Sequence, residues 1–156
     1  MAAQFAGHAV SAQIASSGLV SQAAAVALVL AVPVVTWSLV GDQSTTGPDN
    51  ADYVIRPLFR VSAGEPRVLR IVSLVLAIAA AAWLSWASVH NGFDLRWWSV
   101  IGPLLPLGIL LGLGWRVFTA GVIGANIGAG LYAFFAGPVI VALLAWAVFR
   151  TVTLLQ

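Results

Sequence analysis

"WWSVIGPLLPLGILLGLGWRVFTAGVIGANIGAGLYAFFAGPVIVALLAWAVF", Trp97 to Phe149, contains one charged residue, Arg116. As a single straight helix this stretch would extend roughly 80 Å, far past a bilayer hydrocarbon core of about 30 Å. The chain must therefore double back once inside it. Two membrane spans follow, at about 98–116 and 122–149, with the reversal between Arg116 and Gly121. A reversal at the Gly-Ala-Asn-Ile-Gly run, 124–128, is the alternative.

Upstream, the sequence holds two more stretches that are long and apolar enough to span. Val68 to Val89 forms one, separated from Trp97 by the short turn "HNGFDLR", His90 to Arg96, with Asn-Gly inside it. Gly18 to Val40 forms the other, interrupted by Pro33. Between them lies a polar loop, 41–67, rich in the turn formers Gly, Pro, Asp and Asn. Residues 1–17 carry no Arg or Lys and so lack the basic start of a signal peptide. They are expected to precede a retained first span, outside the membrane or at its surface. The fold expected is all-α: a polytopic membrane protein with four transmembrane helices in an antiparallel bundle. Residues 18–156 would form its single domain, with spans at about 18–40, 68–89, 98–116 and 122–149.

Composition agrees with lipid as the main solvent. Of 156 residues, 61% are hydrophobic and 8% charged, and the mean hydropathy is +1.00. Soluble domains carry about 25% charged residues. The net charge of +2 is too small and dispersed for nucleic-acid binding. No cysteine is present, which excludes disulfides, thiolate metal sites and cysteine nucleophiles. All the basic residues are Arg, and with abundant Ala, Val and Gly this points to a high-GC genome.

Tryptophans collect at membrane interfaces. Trp83, Trp86, Trp97 and Trp98 surround the 90–96 turn and Trp146 lies near the end of span four, while Trp37 and Trp115 mark the opposite interface. Arg56, Arg60, Arg67, Arg70 and Arg116 fall on one side of the four spans, Arg96 and Arg150 on the other. The positive-inside rule then places the 41–67 loop in the cytoplasm and both termini outside a plasma (inner) membrane.

The glycines of "GVIGANIGAG", Gly121 to Gly130, do not fit a phosphate loop. The order G-x-x-G-x-x-x-G-x-G is not the dinucleotide fingerprint, and a P-loop needs a Lys that the chain lacks. Helical spacing fits better. Ala120, Gly124 and Gly128 fall four apart, as do Gly121, Ala125 and Ala129. Such ridges let helix backbones approach closely in lipid. Gly108 and Gly112 make a matching G-x-x-x-G in span three. These eight residues are expected to pack spans three and four together or to meet a partner.

Polar candidates are few. Asn126 is an amide within a span and is expected to bond another helix or to contact a substrate. Arg116, beside Trp115, either snorkels to an interface or serves a function within the membrane. Arg56 and Arg60, in "YVIRPLFRV", alternate with apolar groups and suit contact with lipid phosphates. His8 lies outside the spans and His90 at the end of span two, so they cannot face one another within the bilayer to ligate one haem. Trp83, Trp86 and His90 share a helix face that reads as an interfacial belt, with the border of a quinone or lipid headgroup as the alternative. Asp42, Asp49, Asp52 and Glu65 do not follow the spacing of a calcium loop and sit in a turn-rich connector. No catalytic residue, cofactor or metal ligand is assigned.

By composition and layout the chain resembles the small four-helix integral membrane proteins of mycobacteria and related actinobacteria, many of them of unknown function. That resemblance brings no residue roles with it. From the residues themselves, the function expected is a non-catalytic accessory or assembly subunit of a larger membrane complex. Respiratory complexes and envelope-lipid machineries are the candidate hosts, with membrane lipids as further contacts. The alternative is a small transporter acting as a homo-oligomer, with Arg116, Asn126 and Pro138 near its path. A lipid-directed enzyme ranks third, since only the loop acids could serve it.

Overall fold

The computed structural model describes residues 2–40, 54–55 and 65–156, with side chains at 18–40, 54–55 and 67–156. It is helical throughout: α1 (Ala2–Leu39), α2 (Glu65–Val89), a short 3-10 turn (Leu95–Trp97), α3 (Trp98–Thr119) and α4 (Ala125–Leu155). All four α-helices are long and apolar enough to cross a membrane. Helix α1 begins sixteen residues before the apolar span at Gly18, so residues 2–17 continue the helix.

Local chemistry explains the two short connections. After α2, Asn91 takes a left-handed conformation at φ 56°, and the Gly92 amide donates to the Ala87 carbonyl at 2.8 Å. This is a Schellman-type end, and Asn tolerates the left-handed position better than most residues. Asp94 then starts the 3-10 turn, its Oδ1 accepting from the Arg96 amide at 2.9 Å. The second reversal falls at residues 120–124. Helix α3 runs three residues past the end expected for span three, so the reversal overlaps both expected positions, 116–121 and 124–128, and it turns on Gly124 at φ 79°.

The helices pack in a row, α2–α1–α3–α4. Among the described residues, α4 has no comparable contact with α1 or α2. Neighbours in sequence run in opposite directions. Ser38 of α1 lies beside Arg70 of α2, Ser99 of α3 beside Arg150 of α4, and Gly114 of α3 beside Tyr132 of α4. α1 and α3 run the same way, with Leu28 near Ile101, Pro33 near Gly108 and Trp37 near Arg116. One end of the row thus gathers Arg67, Arg70 and Arg116, and the other holds the His90–Trp97 turn.

The core is small-residue packing around a few large side chains. Leu84 is fully buried, clustered with Leu28, Ala80 and Ile101 and covered by Phe93 and Trp98. Burying one such leucine stabilises by about 1.5–3 kcal/mol in water; in lipid the corresponding gain comes from close packing. Trp98 is oriented by its Nε1–H, which donates to Ser88 Oγ at 3.0 Å, and the Ser88 hydroxyl donates on to the Leu84 carbonyl at 2.7 Å. Only 11% of the α4 span is buried, against 33% for α3. Ile127, Phe134, Phe135 and Val141 on α4 all face outward.

Candidate functional site

Gly108 and Gly112 face α1. A Cβ at Gly112 would lie 2.5 Å from the Pro33 carbonyl oxygen, 2.8 Å from Thr36 Cβ and 3.1 Å from the Trp37 amide nitrogen. At Gly108 it would meet Pro33 Cδ at 3.0 Å and Val32 Cγ1 at 3.1 Å. The G-x-x-x-G of α3 is therefore the groove that admits the Pro33 turn of α1, rather than a seam with α4. Gly114 supplies the contact to α4, where Tyr132 lies against it and donates its hydroxyl to the Leu110 carbonyl.

Neither ridge read from the 120–129 stretch is a continuous stripe on one helix, although Gly121, Ala125 and Ala129 are all buried. Ala120, Gly121 and Gly124 belong to the reversal, and α4 begins only at Ala125. A chain that turns back between two long apolar helices needs a residue able to take positive φ, and Gly124 supplies it. Ala125 and Ala129 are buried on the side of α4 that meets α3, whereas Gly128 is exposed with no atom near an added Cβ.

Beyond the turn, α4 carries a different small-residue face. Asn126, Gly130, Ala133 and Gly137 fall at i, i+4, i+7 and i+11, on one side of the helix. The first three are exposed, and Gly130 and Gly137 have open space where a Cβ would be. This face lies about a quarter-turn from the buried Ala125–Ala129–Ala136 side, by the 100° step of the helix. Small-residue spacing counted from Ala120 or Gly121 does not reveal this face, because those residues belong to the turn and not to α4.

Arg116 is held by α1. Its Nε donates to the Trp37 carbonyl at 2.9 Å, and its guanidinium carbon lies 4.4 Å from the centre of the Trp37 ring. Arg70, from the first turns of α2, donates through Nε and Nη2 to the neighbouring Ser38 carbonyl at 3.0 and 2.7 Å. The last carbonyls of a helix have no partner within it and form the negative end of its dipole. Two guanidinium groups from two helices thus cap the end of α1. Arg70 was missed in the sequence because its partner is a backbone carbonyl, which leaves no residue signature.

Asn126 is exposed at the start of α4 and not between helices. Arg56 and Arg60, the loop acids Asp42, Asp49 and Asp52, and the side chain of Glu65 lie outside the described residues. At the other end, Trp86 stacks on His90 at 4.5 Å and tilts toward Trp83 at 5.3 Å, and the His90 ring bonds the Trp86 carbonyl through Nδ1. Both tryptophans are exposed. Among the described residues, no three His, Asp or Glu side chains come together.

No family model, curated protein or solved structure matches this chain. Its functional reading rests on the geometry alone. That geometry offers surfaces for helices and lipid.

Proposed function

We propose that the protein is an integral membrane protein and a non-catalytic accessory or assembly subunit of a larger membrane complex, respiratory or envelope-lipid. Its four helices cross the inner membrane as two antiparallel hairpins joined through α1 and α3. The 41–67 loop lies in the cytoplasm and both termini outside. Support for insertion comes from the outward-facing Ile, Val, Leu and Phe along every helix and from the placement of Trp at the two ends of the row. The three described arginines at the loop end, against Arg96 and Arg150 at the other, favour this orientation.

The observation that carries the subunit reading is the outer face of α4. Its small residues Gly130, Ala133 and Gly137 have no packing partner among the described residues, although residues of this kind serve close helix approach in lipid. Asn126 at the head of the same face can donate and accept hydrogen bonds across an interface. Purifying the tagged chain from its host in mild detergent tests the reading. A stoichiometric membrane protein that accompanies it is the expected result. A pure oligomer of the chain itself would favour the transporter.

A further inference from the structure

A groove of about 540 Å³ runs between α1 and α3 at the turn end of the row. Its walls are Val26, Val29 and Leu30 of α1 and Val100, Ile101 and Leu104 of α3. Its mouth is polar and is made by Gln22, Asp94 and Trp97. The Asp94 carboxylate caps the following turn with one oxygen and forms no ion pair with a described residue. The Gln22 amide and the Trp97 indole N–H likewise have no hydrogen-bond partner among the described residues, and both line the groove.

Length says what fits. From Gly18 to Leu30 the lining of α1 rises about 18 Å, and from Trp97 to Leu104 that of α3 rises about 10 Å. A partner helix crossing the membrane needs about 30 Å of matching surface, whereas one leaflet's acyl region is about half of that. The groove is the depth of a single leaflet, and its volume lies within the range of small-ligand sites, roughly 300–1,000 Å³. Its charge is also specific. The mouth joins an acceptor carboxylate to neutral donors, which suits a head bearing both an ammonium and a phosphate.

We infer that this groove holds one aminophospholipid of the leaflet on the turn side. One acyl chain lies along Val26, Leu30 and Leu104, the ammonium meets Asp94, and the phosphate accepts from Trp97 Nε1–H and Gln22. The inference rests on the membrane placement proposed above but not on the subunit role.

The test uses the purified full chain in detergent, titrated with phosphatidylethanolamine or phosphatidylglycerol and read by native mass spectrometry. The wild type should bind one phosphatidylethanolamine in preference to phosphatidylglycerol. Asp94→Asn keeps the oxygen that caps the turn and removes only the charge, so it should lower that preference about fivefold, the effect of one exposed ion pair. Val26→Trp fills the groove from an exposed position and should weaken both lipids. Leu30→Trp, also exposed, replaces it should Val26→Trp lose its helical circular dichroism. Equal binding of the two lipids, an unchanged preference in Asp94→Asn, or wild-type binding in a folded groove-filling variant each overturns the inference. Retention in alkali-washed membranes is scored in parallel. Loss of the protein there refutes the shared premise of insertion, whereas retention without lipid preference refutes the groove site alone.

Discussion

Replacing Gly112 by Ala should destabilise the protein, although the same change in an open helix is favourable. The new Cβ would lie 2.5 Å from the Pro33 carbonyl oxygen and 2.8 Å from Thr36 Cβ. Carbon atoms rest at about 3.5–4.0 Å from their neighbours, so α1 and α3 must part by about 1 Å at this level. Both obstructing groups sit on or next to the backbone, and no rotamer change relieves them. A gap of that size forfeits roughly a quarter to a half of each contact along the seam. The Arg116–Trp37 bond, one turn further on, would stretch with it and lose about 1 kcal/mol. Overpacking adds about 1–3 kcal/mol, and the helix propensity of Ala returns about 1 kcal/mol. The net cost is about 1–3 kcal/mol. Gly130→Ala, with nothing near its Cβ, should instead be neutral or stabilising by up to about 1 kcal/mol. Gly108→Ala and Gly114→Ala should fall between, because their nearest neighbours lie at 3.0 Å rather than 2.5 Å and, at Gly114, belong to the Tyr132 ring, which can shift. Unfolding in mixed micelles with increasing dodecyl sulfate, followed by circular dichroism, measures the series. A Gly112→Ala variant as stable as wild type, or ranked with Gly130→Ala, would refute the claim that α1 and α3 touch through this glycine.

Arg116 should rank wild type above Lys above Leu in the same assay. Leu removes a charged hydrogen bond to the Trp37 carbonyl, about 1.5–3 kcal/mol, while Lys keeps the charge and loses the directional stack on the indole. Lys no better than Leu would show that charge at this position contributes nothing. Reporters fused to the C-terminus and into the 41–67 loop should report opposite sides, with the loop in the cytoplasm. A cytoplasmic C-terminal reporter beside an external loop reverses the orientation, and two reporters on one side exclude four spans.

Much of the scaffold was legible because it depends on local quantities. The charge-poor run from Trp97 to Phe149 forces one reversal by length alone, and "HNG" carries the chemistry of the turn that Asn91 adopts. Pairing was less legible. A G-x-x-x-G says that a face is small but not which helix enters it, and Gly108–Gly112 took α1, not α4. The same ambiguity governs 120–124, where small residues suit a ridge or a turn equally well. The structure spends them on the turn because Gly124 can take positive φ. Arg70 and Arg116 meet at the end of α1 from helices far apart in sequence, and both bond carbonyls that any residue could offer. The outer face of α4 was readable in principle, since Asn126, Gly130, Ala133 and Gly137 keep helical spacing once the helix is started at Ala125.

That outer face is where the account is most exposed. Gly130→Leu places a bulky side chain on it without touching α3, and should leave unfolding in micelles near the wild-type midpoint. Overpacking at a partner interface costs about 1–3 kcal/mol, a loss of roughly five- to 150-fold in affinity. Quantitative co-purification of the tagged wild type and Gly130→Leu from the native host, in mild detergent and at equal expression, is the most direct measurement. The account predicts a stoichiometric membrane partner with the wild type and at least a fivefold loss of it with the variant. Equal recovery of the partner with both, or no partner with either, would contradict it.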